Sequence, residues 1–111
     1  MTVLEKEIES KLVKMVKQSG GLCLKFVSPG WAGVPDRIVL LPGGRAVFVE
    51  LKRPKGGVVS PRQEWWSKKL TSLGFVYYII WNNVHLLAFE NYLYSKYIKQ
   101  TNSLKEGAKN E

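Results

Sequence analysis

Apolar residues return along this chain with two periods, one helical and one of strands, and the switches between them lay out a fold. Ile8, Leu12, Met15 and Val16 recur at helical spacing, which predicts a helix from about residue 3 to 19, stopped by Gly20-Gly21. Leu22 to Val27 reads as a first strand. Arg37-Ile38-Val39-Leu40-Leu41, then Pro42-Gly43-Gly44, then Arg45-Ala46-Val47-Phe48-Val49 reads as strand, turn, strand. Ser60-Pro61-Arg62-Gln63 has the marks of a helix start: Ser60 suits the N-cap, Pro61 the first turn and Gln63 the reciprocal capping position. Phe75 to Trp81 is a continuous apolar and aromatic run, expected as a buried strand. Asn82-Asn83 reads as a turn, Val84 to Phe89 as a short last strand, and Tyr92 to Lys99 as a helix. The order helix, three strands, helix, strand (α-β-β-β-α-β) predicts an α/β sandwich with a central mixed sheet flanked by helices.

That layout gathers chemistry. The Pro-Gly-Gly turn folds one strand back beside the other, so Asp36, just before the first, can meet Glu50, at the end of the second. Strand residues alternate faces, so Glu50 and Lys52 share one and Leu51 takes the other. Two carboxylates close together repel unless a cation lies between them, and oxygen ligands without Cys or His nearby select Mg²⁺ or Mn²⁺ over zinc. With Lys52 to hold an attacking water or the charge building on phosphate oxygens, the trio fits phosphodiester hydrolysis. The competing reading has Asp36 merely opening a strand and Glu50 pairing with Lys52 on a surface. Against it stands the apolar run from Ala46 to Leu51, where a charged pair is expensive to bury without a task.

Two further polar residues fall on candidate site-facing positions. Glu9 lies at the edge of the helical apolar stripe and can look toward the sheet, with Glu5 as the alternative; both, with Glu7, also suit a positive helix N-terminus. Gln63 stands three and seven residues before Trp66 and Leu70, on the sheet-facing side of its helix. It can close the capping box or reach the site, and the two uses are expected to coexist only if the side chain switches partners.

Charge reinforces a polyanionic partner. The 111-residue chain carries a net charge of +8, and residues 10–69 hold twelve Lys or Arg against three acids, two of them Asp36 and Glu50. A cationic surface around an acidic pocket suits a hydrolase of nucleic acid. Lys25, Arg37, Arg53, Lys55 and Arg62 are the candidate phosphate contacts, with Arg53 to Gly57 forming a basic loop at the mouth of the site. Lys11, Lys14 and Lys17 read as the solvated face of a helix, and Trp31 either stacks on a base or covers the core. Cys23 and His85 are each single and read as structural. No apolar run approaches the roughly 20 residues that span a bilayer, and the first residues do not read as a leader, so a soluble, cytoplasmic protein without a membrane partner is expected. Residues 1–100 form one expected domain, and 101–111 a polar tail expected to be disordered.

The series Gly33-Val34-Pro35-Asp36-Arg37, a Gly-Gly hairpin, Val47-Phe48-Val49-Glu50-Leu51-Lys52 and Ser60-Pro61-Arg62-Gln63 resembles the virus-type replication-repair nuclease (VRR-Nuc) domain of the PD-(D/E)XK superfamily. The similarity runs from about Glu5 to Trp81. It implies a restriction-endonuclease-like core, Asp36 and Glu50 as metal ligands with the Leu51 carbonyl as a third, Lys52 as the catalytic lysine, and supporting roles for Gln63 and a first-helix Glu. It further implies a Mg²⁺- or Mn²⁺-dependent DNA endonuclease with no organic cofactor, acting as a homodimer on branched DNA such as four-way junctions, and a phage or bacterial source. The aromatic load suggests Trp65 and the Tyr92, Tyr94, Tyr97 group for a dimer interface. The alternatives are a non-catalytic nucleic-acid-binding module and a nuclease for flapped or linear DNA.

Overall fold

The computed structural model describes residues 3–98, with the side chains of Val3, Tyr97 and Ile98 left aside. Its elements follow in the order α1 (Val3–Gln18), β1 (Leu22–Lys25), β2 (Arg37–Leu41), β3 (Arg45–Leu51), α2 (Pro61–Ser72), β4 (Val76–Ile80) and α3 (Asn83–Leu93), the last continuing into a π-helical stretch at Tyr94–Ile98. The expected tail at 101–111, Lys99 and the Tyr97 side chain lie outside the described residues.

The four strands form one mixed sheet in the order β1-β2-β3-β4. β2 and β3 are the predicted hairpin, in register from Arg37↔Val49 to Leu41↔Arg45. Its turn reverses through Gly43 and Gly44, both at positive φ (85° and 74°), where a side chain would be strained. β1 lies antiparallel to β2, and β4 lies parallel to β3 with Val47↔Val76 and Leu51↔Ile80 in register, which the α2 crossover makes possible.

Alternation along β3 separates two environments. Val47, Val49 and Leu51 join Val39, Leu41 and Ile80 in the main core, under Ile8, Leu12, Met15 and Val16 of α1 and Leu86, Phe89 and Leu93 of α3. Phe48 and Glu50 face the opposite side, toward α2, whose Leu70 is buried. The sheet is thus covered on one face by α1 and α3 and on the other, over β3 and β4, by α2.

The last third of the chain departs from expectation. Val84 to Phe89 is not a strand but the first part of α3. Asn82 is its N-cap, its Oδ1 accepting the His85 N–H at 3.0 Å, and Leu86, Phe89 and Leu93 fall on one helical face. β4 is an edge strand in which Ile80 alone is fully buried; its run is apolar on both sides because α2 packs on one face and α3 on the other. Tyr92, half-buried, packs on Tyr78 and Phe89 against the main core, with centroids 5.9 and 6.2 Å away. Cys23 packs against the core, where burial raises its thiol pKa, and His85 Nδ1 accepts the Trp81 N–H at 3.1 Å. Both residues are structural, as expected.

Candidate active site

Three segments converge on the α2 side of the sheet. The loop Gly33-Val34-Pro35 delivers Asp36, the end of β3 delivers Glu50, Leu51 and Lys52, and the first turn of α2 delivers Gln63. Gly33 takes a positive φ of 82°, and a Cβ there would lie 2.6 Å from that of Arg62. Only glycine lets the Asp36 loop lie this close to α2.

Asp36 Oδ2 accepts the Leu51 N–H at 2.7 Å, which ties the loop acid to the strand beside Glu50. Glu50 is 0% exposed. Its Oε1 accepts from Gln63 Nε2 at 2.6 Å, and its Oε2 takes a long bond of 3.4 Å from the Tyr77 hydroxyl. On the far side of the amide, Gln63 Oε1 accepts the Lys52 ammonium at 2.6 Å. An amide therefore bridges cation and carboxylate.

Gln63 also completes the capping box. Its Oε1 accepts the Ser60 N–H at 3.0 Å, and its own N–H bonds Ser60 Oγ at 3.2 Å. The expectation that capping and site contact exclude one another is corrected: a carbonyl oxygen has two lone pairs and the amide a separate donor, so one rotamer serves both.

The electrostatics are those of an acid site short of positive charge. Burial raises the Glu50 pKa to about 7, against a lowering by Lys52 and with a further rise from Asp36. Asp36 is raised as well, by desolvation first, and the Leu51 N–H and Lys52 only partly offset this. Burial beside Glu50 likewise pushes the Tyr77 hydroxyl well above its usual range. Tyr77 was not foreseen; it reaches Glu50 through the parallel β3–β4 register, which local sequence does not reveal.

The other candidates share none of these hydrogen bonds. Arg37 is only 9% exposed, and its guanidinium pairs with Glu9 Oε2 at 3.2 Å and donates to the Cys23 carbonyl at 3.3 Å. This corrects its assignment to the DNA surface: Arg37 holds α1 onto the sheet. Glu9 is spent on the same pair, on the opposite face from the Glu50 side chain, though Glu9 and Glu5 both raise the Asp36 pKa through their charge. Lys25 is exposed at the end of β1 and by alternation shares the α1 side. Arg53, Lys55 and Arg62 are exposed, with Arg53 turned toward the Gly56 carbonyl at 3.4 Å. A cleft of about 510 Å³ between α1 and α3 contains none of the acid-site residues. Among the described residues, no group of three or more His, Cys, Asp or Glu is placed to hold a metal, and no helix is long and apolar enough to cross a membrane.

No family model matches the chain. A solved VRR_NUC domain superposes with a TM-score of 0.70 and 24% identity, over 77% of this chain and 91% of the other. That likeness defines the fold: an α/β, restriction-endonuclease-like core of the VRR-Nuc type. In sequence, the chain is 47% identical over 72 residues to "Putative nuclease p44" of Acyrthosiphon pisum secondary endosymbiont phage 1, covering 65% of this chain and 76% of that protein. The chain belongs to this nuclease family.

Proposed function

We propose that the protein is a Mg²⁺- or Mn²⁺-dependent DNA endonuclease, acting as a homodimer on branched DNA such as four-way junctions. The observation that carries the metal reading is Glu50: a fully buried carboxylate whose pKa is lifted to about 7, with Asp36 adding negative charge. A divalent cation would reverse that penalty. Two carboxylates with the adjoining Leu51 carbonyl would offer oxygen donors of the kind Mg²⁺ accepts alongside water and phosphate. When bound, the ion supplies charge neutralisation at the scissile phosphate and lowers the pKa of water.

The chain's own residues then have distinct tasks. Asp36 and Glu50 would hold the ion, Gln63 fixes the Glu50 carboxylate, and Lys52 would present its ammonium to the attacking water or the phosphate oxygens. The basic loop at Arg53 and Lys55, with Arg62, contacts the sugar-phosphate backbone. Incubation with labelled four-way junction, flap, single-strand and linear duplex DNA is expected to give paired junction nicks in Mg²⁺ or Mn²⁺, and retention of DNA without cutting in chelator. Binding without cutting in any divalent ion would leave an accessory binding module; cuts confined to flaps or linear duplex would move the substrate.

Paired nicks need two sites in matched geometry, which a two-fold dimer provides. The fold leaves one surface well suited to it. Over β1 and β2 the sheet face turned toward the α2 side exposes Leu22 (60%), Leu24 and Leu40, next to the free edge of β1. Leu24→Lys is expected to convert a dimer to a species near 12.6 kDa in sedimentation. A wild-type monomer without DNA would contradict the dimer.

A further inference from the structure

A second cleft, of about 330 Å³, opens beside the acid site and is lined by Gly30, Trp31, Ala32, Arg62, Trp65 and Trp66. Of its lining, only Arg62 has a task in the nuclease reading, as a backbone contact. Trp31 and Trp65 lie near-parallel, at 7° with centroids 6.4 Å apart, yet remain 62% and 50% exposed. Two stacked indoles left in water are a costly surface unless something covers them.

The platform is held in place from below. Trp66 stands edge-on to both rings, at 83° and 5.9 Å from Trp31 and 89° and 5.1 Å from Trp65. Its Nε1 donates to the Ala32 carbonyl at 3.0 Å, fastening the loop to α2. One residue further, Gly33 packs against the Arg62 backbone and completes the fastening.

We propose that this cleft binds one unpaired nucleobase of the nucleic-acid substrate, stacked on Trp31 and Trp65, with Arg62 taking the adjoining phosphate. Flat aromatic faces beside a cation suit a base and its backbone, whatever the base's identity. The position gives the contact a purpose. Trp31 is on the loop that leads to Asp36, and Arg62 precedes Gln63 on α2, so a base seated here registers its strand against the acid pair. A flap, a bulge or a branch point opened on the protein offers such a base, where a continuous duplex keeps its bases stacked and paired. The inference takes its ligand from the nuclease reading above and deepens it: the substrate carries unpaired bases near the cut.

The test uses the full chain in chelator, with two labelled duplexes: one carrying a single extrahelical thymidine, the other an abasic tetrahydrofuran at the same place. Anisotropy titration is expected to show the thymidine duplex bound about 5- to 150-fold more tightly, the worth of one stacked base. Trp31→Ala and Trp65→Ala should each erase that preference and leave affinity for the abasic duplex unchanged, while Trp31→Phe retains most of it; far-UV dichroism verifies folding. Equal wild-type affinity for the two duplexes overturns the proposal. So does a Trp65→Ala variant whose sedimenting mass halves, which would give the cleft to a second copy of the chain. Because no cutting is involved, the outcomes separate: a base preference without cleavage in any metal leaves this site standing and sinks the metal-nuclease reading, whereas cleavage with equal affinities sinks this site alone.

Discussion

Asp36→Asn and Glu50→Gln are each expected to abolish DNA cleavage, with a loss of at least about 10²- to 10³-fold, while DNA affinity is held or rises. Both acids are assigned to the ion, not to phosphate, and removing negative charge from a cationic surface favours a polyanion. Turnover at the wild-type rate in either variant would refute the assignment. A second readout is independent of cutting. A ligand that binds the folded state alone stabilises it, by about 2.7 kcal/mol at a hundredfold excess over its Kd. Mg²⁺ or Mn²⁺ should therefore raise the wild-type melting temperature and leave that of both variants unmoved.

Glu50→Gln should also change the stability of the metal-free protein, in a direction that depends on pH. The Glu50 carboxyl titrates near 7 in the folded chain against an ordinary value of 4.5. Between those values the folded state holds the extra proton, so stability falls as pH rises through that window, and above it the whole penalty is present. At about 1.4 kcal/mol per tenfold step, ionised Glu50 costs the fold on the order of 3 kcal/mol as an upper bound. Glutamine carries no such charge and can keep both contacts, accepting from Gln63 and donating to the Tyr77 oxygen. In chelator the variant should melt several degrees above wild type at pH 8 and no higher at pH 4. Equal melting temperatures at pH 8 would show that Glu50 carries no such burden.

How much of this was legible depended on whether the determining contacts are local. The β2–β3 hairpin could be read because a three-residue turn with two glycines fixes its register, and that register puts Glu50 and Lys52 together and Leu51 opposite. The start of α2 was legible for the same reason, since Ser60 and Gln63 cap within one turn. Tyr77 was not, because its approach to Glu50 depends on a parallel pairing set by the whole α2 crossover. Arg37 read as one more surface cation; it became buried because alternation along β2 turns it toward α1, where Glu9 waits 28 residues earlier in the chain. Val84 to Phe89 failed differently. A six-residue apolar run fits strand and helix alike, and the deciding signals lay in the Asn82 cap and in Leu93, beyond the run.

Lys52→Ala is expected to lower kcat about 10²- to 10³-fold, with KM and the divalent concentration for half-maximal activity nearly unchanged. The structure makes this substitution unusually clean. Lys52 Nζ reaches the site through Gln63 Oε1, and that oxygen keeps the Ser60 N–H when the ammonium is gone, so the cap of α2 survives. Gln63→Ala should behave otherwise. It removes half of the capping box, costing about 1 kcal/mol of stability, and frees the Glu50 carboxylate, so thermal stability and metal half-saturation should both move along with kcat. Lys52→Arg keeps the charge, but a planar guanidinium cannot reproduce the compact ammonium's contact with one amide oxygen, and partial activity at most is expected. The ratio of kcat to KM effects therefore separates the two roles: a Lys52→Ala loss confined to KM would make the lysine an ordinary phosphate contact, and the bridge through Gln63 a structural one.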